Sequence, residues 1–144
     1  MSKHTVTHAC GHTVTHRLYG PGKERDRKLA RLAGECCQAC ADQHLVDRAH
    51  ALYPDLPALQ GSDKQVAWAD RIRAQKIVRE LAELDNWVAA RGQAADVPAD
   101  QVARAQRIVR DTIHRASAAA WIDARDTLYG QAWLLERFAA EGVQ

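Results

Sequence analysis

His4-Thr5-Val6-Thr7-His8-Ala9-Cys10-Gly11-His12-Thr13-Val14-Thr15-His16 repeats one Thr-Val-Thr-His tetrapeptide on either side of a Cys-Gly-His turn. Thr and Val are β-branched and suit a pleated strand better than a helix. The stretch therefore predicts two short arms folded into a hairpin, with Gly11 allowing the sharp turn between them. Downstream, Cys37-Gln38-Ala39-Cys40 adds a second short-spaced pair of ligands. Two such knuckles facing one point are how a closed tetrahedral zinc site is built. The predicted ligands are Cys10, His12, Cys37 and Cys40, and the predicted cofactor is a structural zinc ion. Cys36 competes with Cys37, since Cys36-x-x-x-Cys40 would place two ligands on one helical face. His44 could replace His12, and His8 or His16 could approach from the arms. The plainer reading of His4, His8, His16, His44 and His50 is surface or supporting histidine.

Leu18 and Tyr19 extend the second arm until Gly20-Pro21-Gly22 ends it, because proline removes a ladder donor and glycine permits a turn. Lys23 to Gly34 predicts a short helix with Leu29, Leu32 and Ala33 as its apolar patch. On that helix Lys23, Arg27 and Arg31 share a stripe, with Arg25 and Lys28 beside it. These five are the candidate phosphate contacts, although interleaved Glu24 and Asp26 also fit a simply solvated face. A second helix, Ala41 to Leu52, begins within or just after the Cys37-x-x-Cys40 turn. The order knuckle, strand, helix, knuckle, helix predicts a treble-clef or ribbon-like zinc module over residues 1–52.

Tyr53 to Gly61, with two prolines and a terminal glycine, reads as a connector (53–61) to a helical region (62–144). Ser62-Asp63-Lys64-Gln65 is a capping box. From there to about Arg91, Val66, Ala69, Ile77, Leu81, Leu84 and Val88 recur at helical spacing, while Trp68 and Ile72 fall on another face. After a loop over 92–97, Val102, Ala105, Val109, Ile113, Ala116 and Ala120 form a narrow stripe of small residues. Ser117 predicts the cap of a renewed helix, and Gly130 precedes an amphipathic tail with Trp133, Leu134, Leu135 and Phe138. Trp68, Ile72, Trp133 and Phe138 are the candidate partner-binding residues; core packing is the plainer reading of all four tryptophans. The fold class is α+β: a small zinc module with a β-hairpin, followed by a helical hairpin or bundle.

The whole chain has 144 residues, 47% hydrophobic and 26% charged, with a formal net charge of +2. That composition excludes wholesale disorder and lacks the strongly basic balance that would by itself announce nucleic-acid binding. The charge is uneven, however. Residues 1–50 hold eight Lys/Arg against five Asp/Glu, a balance of +3, and the remainder holds twelve against thirteen, a balance of −1. A surface for a polyanion is therefore expected in the N-terminal module. No apolar run approaches the roughly 20 residues of a membrane span, and the N-terminus lacks the apolar stretch of a signal peptide. A cytoplasmic location is expected, with no membrane partner. In a reducing compartment, four cysteines clustered between positions 10 and 40 favour metal over disulfide.

Cys10-Gly11-His12, Glu24-Arg25-x-Arg27-Lys28-Leu29, Cys37-x-x-Cys40, Gly61-Ser62-x-Lys64-Gln65-x-x-Trp68-Ala69-x-x-Ile72-Arg73 and Ala120-Trp121-Ile122-Asp123-x-Arg125 together resemble uncharacterised bacterial proteins often carried by phages and plasmids. The resemblance spans all but roughly the last 15 residues. It implies a zinc module and a mobile-element setting, and no catalytic residues. A catalytic zinc needs an open coordination position, which four good ligands do not leave. Asp123 and Arg125, two apart on a helix, share no face, and no nucleophile with an orienting base is identifiable. The expected function is non-enzymatic zinc binding with a nucleic-acid or nucleoprotein partner. The alternatives are a protein-interaction module acting on a host or phage protein, and an enzyme of unidentified chemistry.

Overall fold

The structure is a computed structural model that describes residues 2–142, and its class is α+β as expected. Strands β1 (Ser2–Thr7) and β2 (Thr13–Leu18) form the antiparallel hairpin, in a register that pairs Thr7 with Thr13, Val6 with Val14 and His4 with His16. Alternation along the pleat then sorts the side chains. Val6 and Leu18 face inward and are buried. Lys3, Thr5, Thr7, Thr13, Thr15 and Arg17 face outward and are exposed, with the Thr5–Thr15 and Thr7–Thr13 hydroxyls paired across the strands at 3.2 and 3.3 Å.

Helix α1 (Gly22–Gly34) follows Pro21, which supplies the extended dihedral at its N-cap. It packs on β1 through half-buried Leu29 and Leu32, and Arg25 Nη1 donates to Ser2 Oγ at 3.0 Å. Helix α2 (Gln38–Leu52) starts inside the Cys37-x-x-Cys40 turn, so Cys40 sits in its first turn. The chain forms two compact units, and the division falls within α2, after His44.

In the second unit the capping box is formed: Ser62 Oγ accepts from the Gln65 amide, and Gln65 Oε1 accepts from the Ser62 amide. Gly61 is needed there for closeness, since a Cβ would lie 3.1 Å from the Ala118 methyl. Helix α3 (Asp63–Lys76) runs through one wide π turn (Ile77–Leu81) into α4 (Ala82–Arg91). One continuous α-helix was the expectation from periodicity. The difference is an inserted turn in which Ala82 N–H reaches back to the Ile77 carbonyl. The predicted stripe otherwise holds: Ala69, Ile77, Leu81, Leu84 and Val88 are buried.

Helix α5 (Ala99–Ile113) packs on α4 and buries Ala105, Ile108, Val109, Thr112 and Ile113. The expected small-residue stripe breaks before Ala116. After Ile113 the chain leaves the helix to make a parallel bridge between Gln60 and Ser117, in which Gln60 N–H donates to Ala116 O and the Gln60 carbonyl accepts from Ala118 N–H. Ser117 caps α6 (Ala118–Asp123) as predicted, its Oγ accepting from Ala120 N–H. Trp121 is fully buried, and its indole N–H donates to Arg115 O at 2.9 Å. The last helix, α7 (Gln131–Gly142), contributes buried Leu134. Among the described residues no helix is long and apolar enough to cross a membrane.

Candidate metal centre

The hairpin tip and the start of α2 meet at one point, where Cys10, His12, Cys37 and Cys40 place their ligand atoms within 4.8 Å of one another. His12 Nδ1 lies 3.6 Å from Cys37 Sγ and 3.3 Å from Cys40 Sγ. An ion bonded to sulfur at about 2.3 Å and to nitrogen at about 2.0–2.1 Å in a tetrahedron sets those atoms roughly 3.5 Å apart. The four residues therefore fit a four-coordinate metal ion, with His12 presenting its Nδ1. All four predicted ligands are brought together. Cys36 is exposed and outside the set, while its neighbour Cys37 is buried; this decides the choice that spacing had left open. His44 and His16 also lie outside it.

Main-chain contacts close the site. Gly11 adopts φ +85°, the left-handed region that favours glycine, and its N–H donates to His8 O at 2.9 Å. The Cys37 N–H points at Cys10 Sγ, 3.4 Å away. The Glu35 carbonyl accepts from both the Ala9 N–H at 3.0 Å and the His8 ring at 3.1 Å, which fixes the second knuckle against the first. Since that carbonyl can only accept, His8 Nδ1 carries the proton. His8 is buried, and its Nε2 is 2.9 Å from His16 Nε2. Sequence reasoning placed His8 among surface or supporting histidines. It could not show the anchor on Glu35, because a main-chain acceptor leaves no residue-type signal.

The thiols do not share one electrostatic environment. Hydrogen bonds from the Cys37 and His12 main-chain amides bring the Cys10 thiol down to about 6, whereas the hydrogen bond with the Cys37 side chain, with some burial, pushes Cys40 up to about 11. Adjacent thiolates repel, so one ionises readily only while its neighbour stays protonated. A bound divalent cation removes that conflict by deprotonating each coordinating thiol. A thiol-rich set of four such donors is the chemistry of Zn2+ rather than of Mg2+ or Ca2+, which take oxygen.

The candidate phosphate contacts lie on α1. Lys23, Arg27, Lys28 and Arg31 are exposed; at 100° per residue Lys23, Arg27 and Arg31 lie on the side of the helix away from Leu29 and Leu32, and Lys28 flanks the leucine face. Arg31 faces Glu35 at 3.8 Å; Lys23, Arg27 and Lys28 have no ion-pair partner among the described residues. Arg25 is half-buried and turned toward the hairpin. Of the candidate partner-binding residues, Ile72 is buried, while half-buried Trp133 and Phe138 pack against the helical core. Tyr129 meets the Trp133 ring edge-on, and Arg104 covers the Phe138 ring. Trp68 is 46% exposed. The core reading of the tryptophans thus describes Trp121 and Trp133 better than Trp68.

Comparison with protein-family models, curated proteins and solved structures finds no match to the chain.

Proposed function

We propose that this is a non-enzymatic structural-zinc protein whose N-terminal unit holds the phosphate backbone of a nucleic acid, alone or within a nucleoprotein complex. Zinc is the metal assigned to Cys10, His12, Cys37 and Cys40, each filling one tetrahedral position so that none is left for substrate. The observation that carries the binding reading is α1. It projects Lys23, Arg27 and Lys28 into solvent, unpaired among the described residues, from the same unit that the metal cluster ties together. Cations presented on a rigid element neutralise phosphates and release counterions, which gives affinity that falls steeply with salt. The mobile-element setting implied by the sequence resemblance belongs to the same proposal, as does a cytoplasmic location.

Elemental analysis of protein purified without a histidine tag, followed by anisotropy titration with labelled duplexes and single strands at about 50 mM salt, tests it. One zinc per chain is expected, with binding that weakens as salt rises and is lost in Lys23→Glu/Arg27→Glu/Arg31→Glu. No detectable binding at low salt would discard the reading.

A further inference from the structure

We infer that the cleft beneath Trp68 in the helical unit is a subsite for one unpaired nucleotide of a single-stranded nucleic acid, stacking its base on the indole and meeting its phosphate with Arg125 and Arg79. It rests on the polyanion reading above and extends it, from a phosphate surface to one that also recognises an exposed base.

The cleft measures about 190 Å³ and is lined by Trp68, Ile72, Gln75, Lys76, Arg79, Glu80 and Arg125. Enclosed small-molecule sites begin near roughly 300 Å³, so this one suits part of a polymer better than a whole metabolite. Buried Ile72 forms part of its wall, while Trp68 keeps 46% of its surface exposed. The Arg125 guanidinium lies 5.9 Å from the centre of the Trp68 ring, within range of a cation–π contact. An aromatic ring beside arginine is the pairing with which proteins hold bases of single strands. Gln75 adds an amide able both to donate to and to accept from a base edge.

The site is built rather than incidental. Arg125 is held by Nη1 donating to Ile122 O at 2.9 Å. The loop that carries it is clasped to the π turn by an ion pair with two further attachments. Lys76 Nζ bonds Glu80 Oε1 at 3.2 Å and Thr127 O at 2.7 Å, and Glu80 Oε2 accepts from Tyr129 N–H at 3.0 Å. π turns recur at functional sites, and this one carries Arg79 on the rim of the cleft. Glu80 is thus occupied within the protein. Asp126 lies 3.9 Å from Arg125 and is almost wholly exposed; with Lys76 and Glu80 offsetting each other, Arg79 and Arg125 are the cations that the cleft wall offers a phosphate.

Arg79 and Glu80 also line an adjoining cleft of about 390 Å³ that reaches Trp87. Arg91 faces the Trp87 indole at 5.7 Å, and Glu80 and Glu83 are the acids on the wall of that cleft. Two half-exposed tryptophans, each with an arginine over its ring, therefore lie about 28 Å apart along one helix.

The test compares a labelled oligothymidylate of about a dozen nucleotides with an abasic strand of equal length, on the full chain at about 50 mM salt. Stacking a single base is expected to favour the thymidylate about 10-fold. Trp68→Ala should bring it to the abasic level with unchanged far-UV circular dichroism, and Trp68→Phe should restore most of the preference. Arg125→Gln should lower the slope of log affinity against log salt by about one. Equal wild-type affinity for the two strands, or a preference that survives Trp68→Ala, overturns the subsite while leaving the polyanion reading standing. Failure of both strands to bind overturns both.

Discussion

Up to His44 the described chain buries four side chains, Val6, His8, Leu18 and Cys37, one of them a candidate metal ligand; from Leu45 onward fifteen buried apolar residues form one cluster around Ile77, Leu81, Val109, Ile113 and Trp121. Burying an aliphatic side chain is worth about 1.5–3 kcal/mol, whereas ordering each residue costs about 1–2 kcal/mol. Val6 and Leu18 alone cannot hold the first unit, so on the function proposed above its fold leans on the ion that Cys10, His12, Cys37 and Cys40 could bind. The second unit follows the ordinary rule that apolar stripes find one another. The same chain thus uses two currencies of stability, and conditions exist that remove one without the other.

Removing the metal should produce the largest effect. Cys37→Ser, or treatment with a strong chelator, is expected to disperse the amide resonances of residues 2–44 toward random-coil positions while those of α3 to α7 stay put, because the binding free energy of a structural zinc is folding free energy. Cys36→Ser should leave metal content and spectra unchanged. If the hairpin resonances survive chelation, the contrast between the units is wrong.

The converse change strikes the core. Trp121→Ala removes a fully buried ring and its indole bond to Arg115 O, and should cost about 3–5 kcal/mol of the helical unit's stability in denaturant titrations without altering zinc stoichiometry. Smaller effects sharpen the same division. Ser62→Ala, which deletes the hydroxyl that caps α3, should cost about 1 kcal/mol in the helical unit. Gly11→Ala has open space for its methyl but a strained φ of +85°, and should cost about 1–2 kcal/mol, felt only in metal affinity.

How much of this was legible in the sequence differed between the two units for a physical reason. Ligand chemistry is local: two short-spaced pairs of Cys and His name the candidate metal centre, and β-branched repeats name the hairpin. The caps at Ser62 and Ser117 were likewise readable, since each acts on an amide three residues away. What escaped depends on non-local main-chain partners. The choice of Cys37 over Cys36 follows from where Glu35 is anchored. The break of α5 after Ile113 follows from the bridge between Gln60 and Ser117. The π turn accompanies the clasp of Lys76 and Glu80 on a loop some fifty residues further along. Each of these involves a main-chain partner far along the chain, so periodicity could not see them, and the sequence that set Trp68 apart from the main stripe did not show Arg125 beside it.

The smallest expected effect separates the units by the sign of their pH dependence. In the helical unit His114 Nε2 lies 3.0 Å from Asp55 Oδ2, and its Nδ1 donates to Arg110 O at 2.8 Å. Burial pulls the His114 pKa down, but the Asp55 carboxylate and the Arg110 carbonyl outweigh it, so the net direction is upward; Asp55 is held below its ordinary value by His114. A raised histidine stabilises fully below its unfolded value of 6.5 and loses that contribution as pH rises through the folded value. A lowered carboxylate stabilises above its unfolded value of 3.8 and loses it as pH falls. The pair therefore contributes most between those values and fades on the alkaline side. The helical unit's unfolding midpoint should decline slightly as pH rises from about 6 to about 8.5, and Asp55→Asn should flatten the decline. The metal-built unit should respond the opposite way over the same range, because protons compete with the metal for the thiolates and the competition eases as pH rises. Parallel pH profiles for hairpin and helices would show that the two units do not draw on separate sources of stability.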